Sequence, residues 1–290
     1  MDTKKVLVTG ASGMIGSHLV KSLLHSGYEV VGLDIKNGVV SDDRYSFHSV
    51  DLGDIKAIEA VFEVEKPNRV IHLAALAHPL GKSDLDFKRI THINVECAEN
   101  IFKVAEKHQV PLLFISTVDV FGMSKGILNP DTKPNPVTDY GITKFQAEDK
   151  LKNISSAYDI FRFSPVYTAD IKRDIQKRYY LKPPKWAYRI GKGGQFEVLD
   201  IRLAIKAMTD WIEKKPSNSL RIIKDEKLLD VNELIKGEKA EGRANHVLYF
   251  PRWMVIFGYY CLYPILGKSN PSYLIFKALW PFRTTNKTKS

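Results

Sequence analysis

A chain of 290 residues, 44% hydrophobic, can bury a real core, which excludes a small scaffold stapled by disulfides. Its two cysteines, Cys97 and Cys261, offer neither metal-ligand spacing nor a disulfide framework, so no metal is expected and a reducing compartment fits. The net charge of +10 is unevenly placed: no acid follows Glu241, while Arg243, Arg252, Lys268, Lys277, Arg283, Lys287 and Lys289 supply +7, which argues against a diffuse nucleic-acid surface.

The segment "MDTKKVLVTG" enters an apolar run of four residues, too short for the hydrophobic region of a signal peptide, and a cytoplasmic protein is expected. "KKVLVTG" reads as a buried strand, "MIGSHLVKSLLHSG" as a helix stopped at Gly27, and "YEVVGLD" as a second strand. "RVIHLAA" and "PLLFIST" are two further buried strands, separated by a helical stretch from about Asp84 to Gln109. "DYGITKFQAEDKLKNI" is another helix and "YDIFRFS" another strand. Apolar strands alternating with helices imply a Rossmann-type, doubly wound parallel α/β sheet covered on both faces.

The rhythm breaks after Pro165. Residues 1–167 are expected to form the dinucleotide-binding domain, its sheet completed by 196–225 through "FEVLD", a helix and "LRIIKD". Residues 168–195 and 226–290 are expected to form a small, mostly helical substrate lobe with a basic, aromatic tail. Within that tail the charge-free run from Trp253 to Gly267 is 15 residues long, short of the ~20 a spanning helix needs. Two readings of it stay open: an apolar face packed on the body of the protein, or peripheral contact with an anionic membrane surface.

The turn "VTGASGMIG" spaces Gly10, Gly13 and Gly16 three apart between a strand and a helix. A tight turn, close backbone approach and free N–H groups at a helix N-terminus suit a pyrophosphate. Asp34 ends the next strand, where a carboxylate accepts the ribose hydroxyls of NAD and repels the 2′-phosphate of NADP; Lys36 keeps NADP as the weaker alternative.

With these parts in place, residues 4–167 resemble the extended short-chain dehydrogenase/reductase family, and particularly its nucleotide-sugar epimerases and dehydratases. "VDLGD" resembles the family's adenine-side pair, which implies roles for Asp51 and Leu52. "HLAA" resembles the segment under the cofactor, implying Leu73, Ala74 and Ala75, and the glycine turn adds Ser12, Met14 and Ile15. "NVECAENI" keeps the Asn of a family helix at Asn94 but carries Cys97 and Ala98 where Gly-Thr is usual.

"YGITK" places Tyr140 and Lys144 four apart, on one face of a helix. A phenol near pKa 10 is a poor base at neutral pH, and a neighbouring ammonium favours its phenolate. The resemblance implies that Tyr140 moves the proton, Lys144 tunes it and holds the nicotinamide ribose, and Thr117 hydrogen-bonds the substrate oxygen.

In the family's dehydratases the corresponding Thr is followed by an Asp acid and a Glu base; here Val118 and Asp119 follow, so the carboxylate pair is broken. Asp119 is left as either a structural carboxylate or a lone base. The family often places a diphosphate-binding Arg where this chain has Gly193, and Lys192, Arg189, Arg202 and Arg243 are the replacement cations considered on charge.

The resemblance implies an NAD-dependent enzyme of cell-surface polysaccharide biosynthesis that epimerises C4 of a nucleoside-diphosphate sugar through a transient 4-keto sugar, as a homodimer. Ketoreduction, dehydration or decarboxylation with the same residues is one alternative, and a sugar linked to a polyprenyl diphosphate another. A non-catalytic dinucleotide-binding scaffold or sensor is the alternative from a different class.

Overall fold

The computed structural model describes residues 4–36, 38, 40–77, 84–168, 173–176, 178–182 and 186–288, in two compact units. Unit 1 comprises 1–117, 139–162 and 201–221, and unit 2 comprises 118–138, 163–200 and 222–290. Elements are numbered along the whole chain.

Unit 1 alternates β1 (Lys5–Thr9), α1 (Met14–His25), β2 (Glu29–Asp34), β3 (Tyr45–Ser49), α2 (Ile55–Glu65), β4 (Arg69–His72), α3 (Asp84–Thr91), α4 (Cys97–Lys107), β5 (Leu112–Thr117), α5 (Asp139–Leu151), β7 (Tyr158–Phe163), α7 (Ile201–Ile212) and β13 (Ser219–Ile223). The strand order is β13-β7-β5-β4-β1-β2-β3, with the run from β5 to β3 parallel. This order turns back at β1, so the loop after β1 opens where adjacent connections diverge, the usual ligand crevice of such sheets.

The apolar strand runs are buried because helices cover both faces: Leu7, Val31, Val70, Leu112 and Phe114 share one core with Ile58, Phe62, Ile101, Phe102, Ala147 and Leu151. Asp54 caps α2 by accepting from the N–H groups of Lys56 and Ala57, both at 3.1 Å. Between α3 and α4, residues His92–Glu96 form a π-helical turn, so the stretch expected as one helix is continuous but locally widened and underwound.

Of the 196–225 segment expected to complete the sheet, α7 and β13 lie with it, β13 as its edge strand. "FEVLD" does not reach the sheet. Its residues form β11 (Gln195–Phe196) and β12 (Leu199–Asp200) in unit 2, paired with β14 (Leu229–Asp230) and β8 (Val166–Tyr167). The opposite edge strand, β3, escaped the sequence reading because "YSFHS" is half-buried and carries no apolar run.

Unit 2 also contains β6 (Ile127–Leu128), α6 (Arg173–Gln176), β9 (Tyr180–Lys182), β10 (Trp186–Ile190), α8 (Val231–Ala240), β15 (His246–Phe250), α9 (Arg252–Leu266), α10 (Asn270–Leu279) and β16 (Arg283–Thr284). A three-stranded sheet, β15-β10-β9, and α8 enclose Tyr179, Ala187, Phe196, Val198, Val231 and Ile235. Of the segment 168–195, residues 169–172, 177 and 183–185 lie outside the described residues, as does Lys289. No described helix is long and apolar enough to cross a membrane.

Candidate active site

The glycine turn after β1 is shaped by contacts that admit no side chain. Gly10 has φ +69, and a Cβ there would lie 2.8 Å from Ala74 N; a Cβ on Gly16 would lie 2.1 Å from Gly10 O. Gly13 begins α1 without a side-chain cap, leaving the first N–H groups of the helix available to an anion. Ser12, Met14 and Ile15 are partly accessible around this turn. At the end of β2, Asp34 accepts from Ser12 N at 3.0 Å and Lys36 N at 3.1 Å, which fixes its carboxylate beside the turn.

The remaining expected cofactor residues sit on the same rim of unit 1. Leu73 N and Ala74 N point back at Thr9, donating to its O (3.3 Å) and Oγ1 (3.2 Å), so the "HLAA" segment lies against the turn; Ala75 is exposed. Asp51 is exposed and caps its own turn through Gly53 N, while Leu52 is buried in the core and lends only its backbone oxygen, which Asn100 binds at 2.9 Å. A cradle that a Cβ would fill, an uncapped helix start and a fixed carboxylate together fit a dinucleotide.

Thr117 ends β5, and Tyr140 and Lys144 lie one turn apart on α5. The helix is tied to the rim by Asn94: its Oδ1 accepts from Leu76 N (2.7 Å), and its Nδ2 donates to Leu76 O (3.1 Å) and Thr143 Oγ1 (3.0 Å). Asn94 lies in the π turn and joins the "HLAA" segment to the Tyr-Lys helix.

Lys144 is 1% exposed, with Nζ 3.9 Å from the centre of the Phe114 ring. Burial pushes its ammonium down to about 7, opposed by the carboxylate of Glu148 one turn further on. His72 stacks on the other side of this aromatic cluster, its Nδ1 2.8 Å from Thr9 Oγ1; burial first, and Lys144 second, push it down to about 3, so it is neutral.

In unit 2, Asp119 is held by α10. Its Oδ1 accepts from Tyr273 OH at 2.8 Å and Lys277 Nζ at 3.3 Å, and Tyr273 is itself buried. The same unit holds a cavity of about 690 Å³ lined by the cations Lys125, Arg178, Lys192, Arg252 and Arg283 and by one carboxylate, Asp230. Asp230 is occupied in capping α8.

The sequence profile of the NAD dependent epimerase/dehydratase family matches residues 6–212. The chain belongs to that family. It is 31% identical over 183 residues to the probable UDP-arabinose 4-epimerase 3 of Arabidopsis thaliana, covering 57% of this chain and 44% of that protein. It is 28% identical over 171 residues to methionine adenosyltransferase 2 subunit beta of Xenopus tropicalis, covering 59% and 49%. The chain thus spans about half the length of these relatives. Among solved structures, the Bordetella bronchiseptica enzyme WbmG in complex with NAD superposes with a TM-score of 0.72 over 86% of this chain and 81% of that one, at 21% identity, a likeness of fold.

The departure from the epimerase/dehydratase pattern at Gly193 has a structural cause. Gly193 has φ +95, and a Cβ there would lie 2.4 Å from Asn232 Nδ2, so neither the backbone nor the space accepts an Arg. Of the replacement cations considered from sequence, Lys192 lines the cavity. The other three do not: Arg189 turns to Asn232 and the Tyr249 ring, Arg243 is taken by Glu238 and Glu241, and Arg202 is on α7 in unit 1. Arg178, Arg252, Arg283 and Lys125 were missed individually. The basic character of their segments was the only signal for Arg178, Arg252 and Arg283, and Lys125 had none, because residues from six separate stretches converge there.

Proposed function

We propose that the protein is an NAD-dependent enzyme that epimerises C4 of a nucleoside-diphosphate sugar through a transient 4-keto sugar. The observation that carries this reading is the placement, in one unit, of Thr117 at the end of β5 and of Tyr140 and Lys144 on α5, with the glycine turn and Asp34. A relative named as a UDP-arabinose 4-epimerase supports the choice of C4.

Gly10, Gly13 and Gly16 cradle the pyrophosphate, Ser12, Met14 and Ile15 flank it, and Asp34 accepts the adenosine ribose hydroxyls. Asp51 and Leu52 border the adenine, and Leu73, Ala74 and Ala75 lie along the cofactor. Bound NAD supplies a hydride acceptor and, after reduction, a donor. Thr117 donates a hydrogen bond to the C4 oxygen and Tyr140 takes its proton. Lys144 holds the nicotinamide ribose and stabilises the Tyr140 phenolate. The cations of the unit 2 cavity neutralise the diphosphate.

Asp119 takes no part in this scheme, being engaged by Tyr273 and Lys277 and lacking a second carboxylate beside it in the chain. The enzyme works in the cytoplasm as a homodimer in the service of surface polysaccharide synthesis. Proton NMR in deuterated water, with NAD and a panel of UDP-, dTDP- and GDP-sugars, tests the reaction. A C4 epimer without ring deuterium is expected; a 4-keto-6-deoxy product carrying deuterium would replace epimerisation by dehydration.

A further inference from the structure

Helix α9, Arg252–Leu266, is apolar on every side yet buries only Tyr259. One side packs on α10, where Val255, Ile256, Tyr259 and Tyr263 meet Phe276, Leu279 and Trp280. The other side faces water: Trp253 (69% exposed), Phe257 (67%) and Tyr260 form a stripe at helical spacing, and Ile265 (81%) is exposed beyond it near the C-terminal end. A helix of this composition needs a second apolar neighbour. At 15 residues, or about 22 Å at 1.5 Å per residue, it cannot cross the ~30 Å core of a bilayer, but it can lie in the interface, where Trp and Tyr are favoured.

Charge selects the neighbour. No acid follows Glu241, and Arg252 and Lys268 bracket the helix. A cationic frame around an aromatic stripe complements an anionic lipid surface.

The same helix opens the cationic cavity. Arg252, its first residue, lines that cavity and donates from Nη2 to Leu279 O at 2.7 Å, at the C-terminal end of α10. Trp253, the next residue, is exposed. Leu279, Trp280, Pro281 and Phe282 continue an apolar lining beside the cations. Two of those cations are laid on rings: Lys125 Nζ is 4.0 Å from the centre of Trp280, and the Arg178 guanidinium is 4.3 Å from that of Phe196. Gly193, unable to carry an Arg, lines this same cavity, and the cations that share it include Arg252 of α9 and Arg283 after α10.

We infer that the substrate's diphosphate is borne by a membrane lipid: α9 seats on the bilayer, the cavity takes the diphosphate, and the lipid chain leaves along the apolar lining. This rests on the epimerase reading for the sugar chemistry and puts a lipid in place of the nucleoside of the substrate proposed above.

Cosedimentation of the full-length protein tests the inference with vesicles of phosphatidylcholine alone, with added phosphatidylglycerol, and with a polyprenyl diphosphate at matched surface charge. The expected result is little pelleting on phosphatidylcholine, clear pelleting on phosphatidylglycerol, and at least tenfold tighter binding to the polyprenyl diphosphate. Trp253→Glu with Phe257→Glu, shown folded by circular dichroism, should weaken both of the latter at least tenfold. Arg178→Ala with Lys192→Glu should erase only the polyprenyl diphosphate advantage.

Equal binding to the two anionic vesicles, or pelleting on neither, would overturn the inference. So would a concentration-dependent dimer in ultracentrifugation that Phe257→Glu dissolves, since a second copy would then cover the helix. Pelleting requires no turnover, so a protein that binds these vesicles yet converts neither the nucleotide sugars nor a sugar linked to polyprenyl diphosphate refutes the epimerase reading alone.

Discussion

Arg162 grips the carboxylate of Glu148 with both arms of its guanidinium, Nε to Oε1 at 2.9 Å and Nη2 to Oε2 at 2.6 Å, and neither side chain is exposed to water. Ser116 Oγ adds a third bond, 2.5 Å to Oε1. Ser116 directly precedes Thr117, and Glu148 lies one helical turn beyond Lys144, so this one carboxylate pins α5 to β5 and β7 beneath the residues proposed to do the chemistry. Removing one member of a buried pair leaves the other charge stranded. Glu148→Gln is therefore expected to lower the unfolding free energy by roughly 3–5 kcal/mol in urea titrations. Adding Arg162→Met should recover a large part of that loss.

Stability should climb with pH just above neutrality. Lys144 is pushed down to about 7 in the folded protein, against 10.5 as the ordinary value. Between those values the unfolded chain binds the proton that the folded one has released, so the stability gained is complete above 10.5 and is lost as pH falls to 7. The slope from this one group is about 1.4 kcal/mol per pH unit. Unfolding of the cofactor-free protein between pH 7 and 8.5 should show it, and Lys144→Met should flatten the profile.

His72 acts in the same sense in acid. Its folded value of about 3 lies below the ordinary 6.5, so its contribution is complete above 6.5 and is lost as pH falls towards 3. The wild-type melting temperature should fall across that interval, and His72→Asn should lose part of the dependence.

Asp119→Asn keeps an oxygen for the Tyr273 hydroxyl and loses the charge that faces Lys277. A loss of about 1 kcal/mol in stability is expected. Removing a general base costs about 10²- to 10⁴-fold in rate. Steady-state kinetics should show a far smaller change, and a drop of that size would make Asp119 the base.

Gly16→Ala should abolish tight cofactor binding while the sheet still folds. The new Cβ would meet Gly10 O at 2.1 Å and push the turn out of its cradle. Titration with NADH, followed by fluorescence, should show at least a roughly tenfold weaker dissociation constant.

The sequence by itself determined the parts whose physics is local. Apolar strand runs, the Gly10-Gly13-Gly16 turn, Asp34 at a strand end and the Tyr140-Lys144 spacing each follow from the period of one element, and each occupies the element expected of it. Tertiary structure decided what depends on residues far apart in the chain. The half-buried β3 gains its place only by pairing with β2, and "FEVLD" is drawn into short ladders with β8 and β14 rather than into the sheet. The buried grip of Arg162 on Glu148, the anchoring of Asp119 by Tyr273, and the cavity gathered from Lys125, Arg178, Lys192, Arg252 and Arg283 have no signature in spacing. Charge and hydrogen bonding act through space, and folding alone brings those side chains within reach of one another.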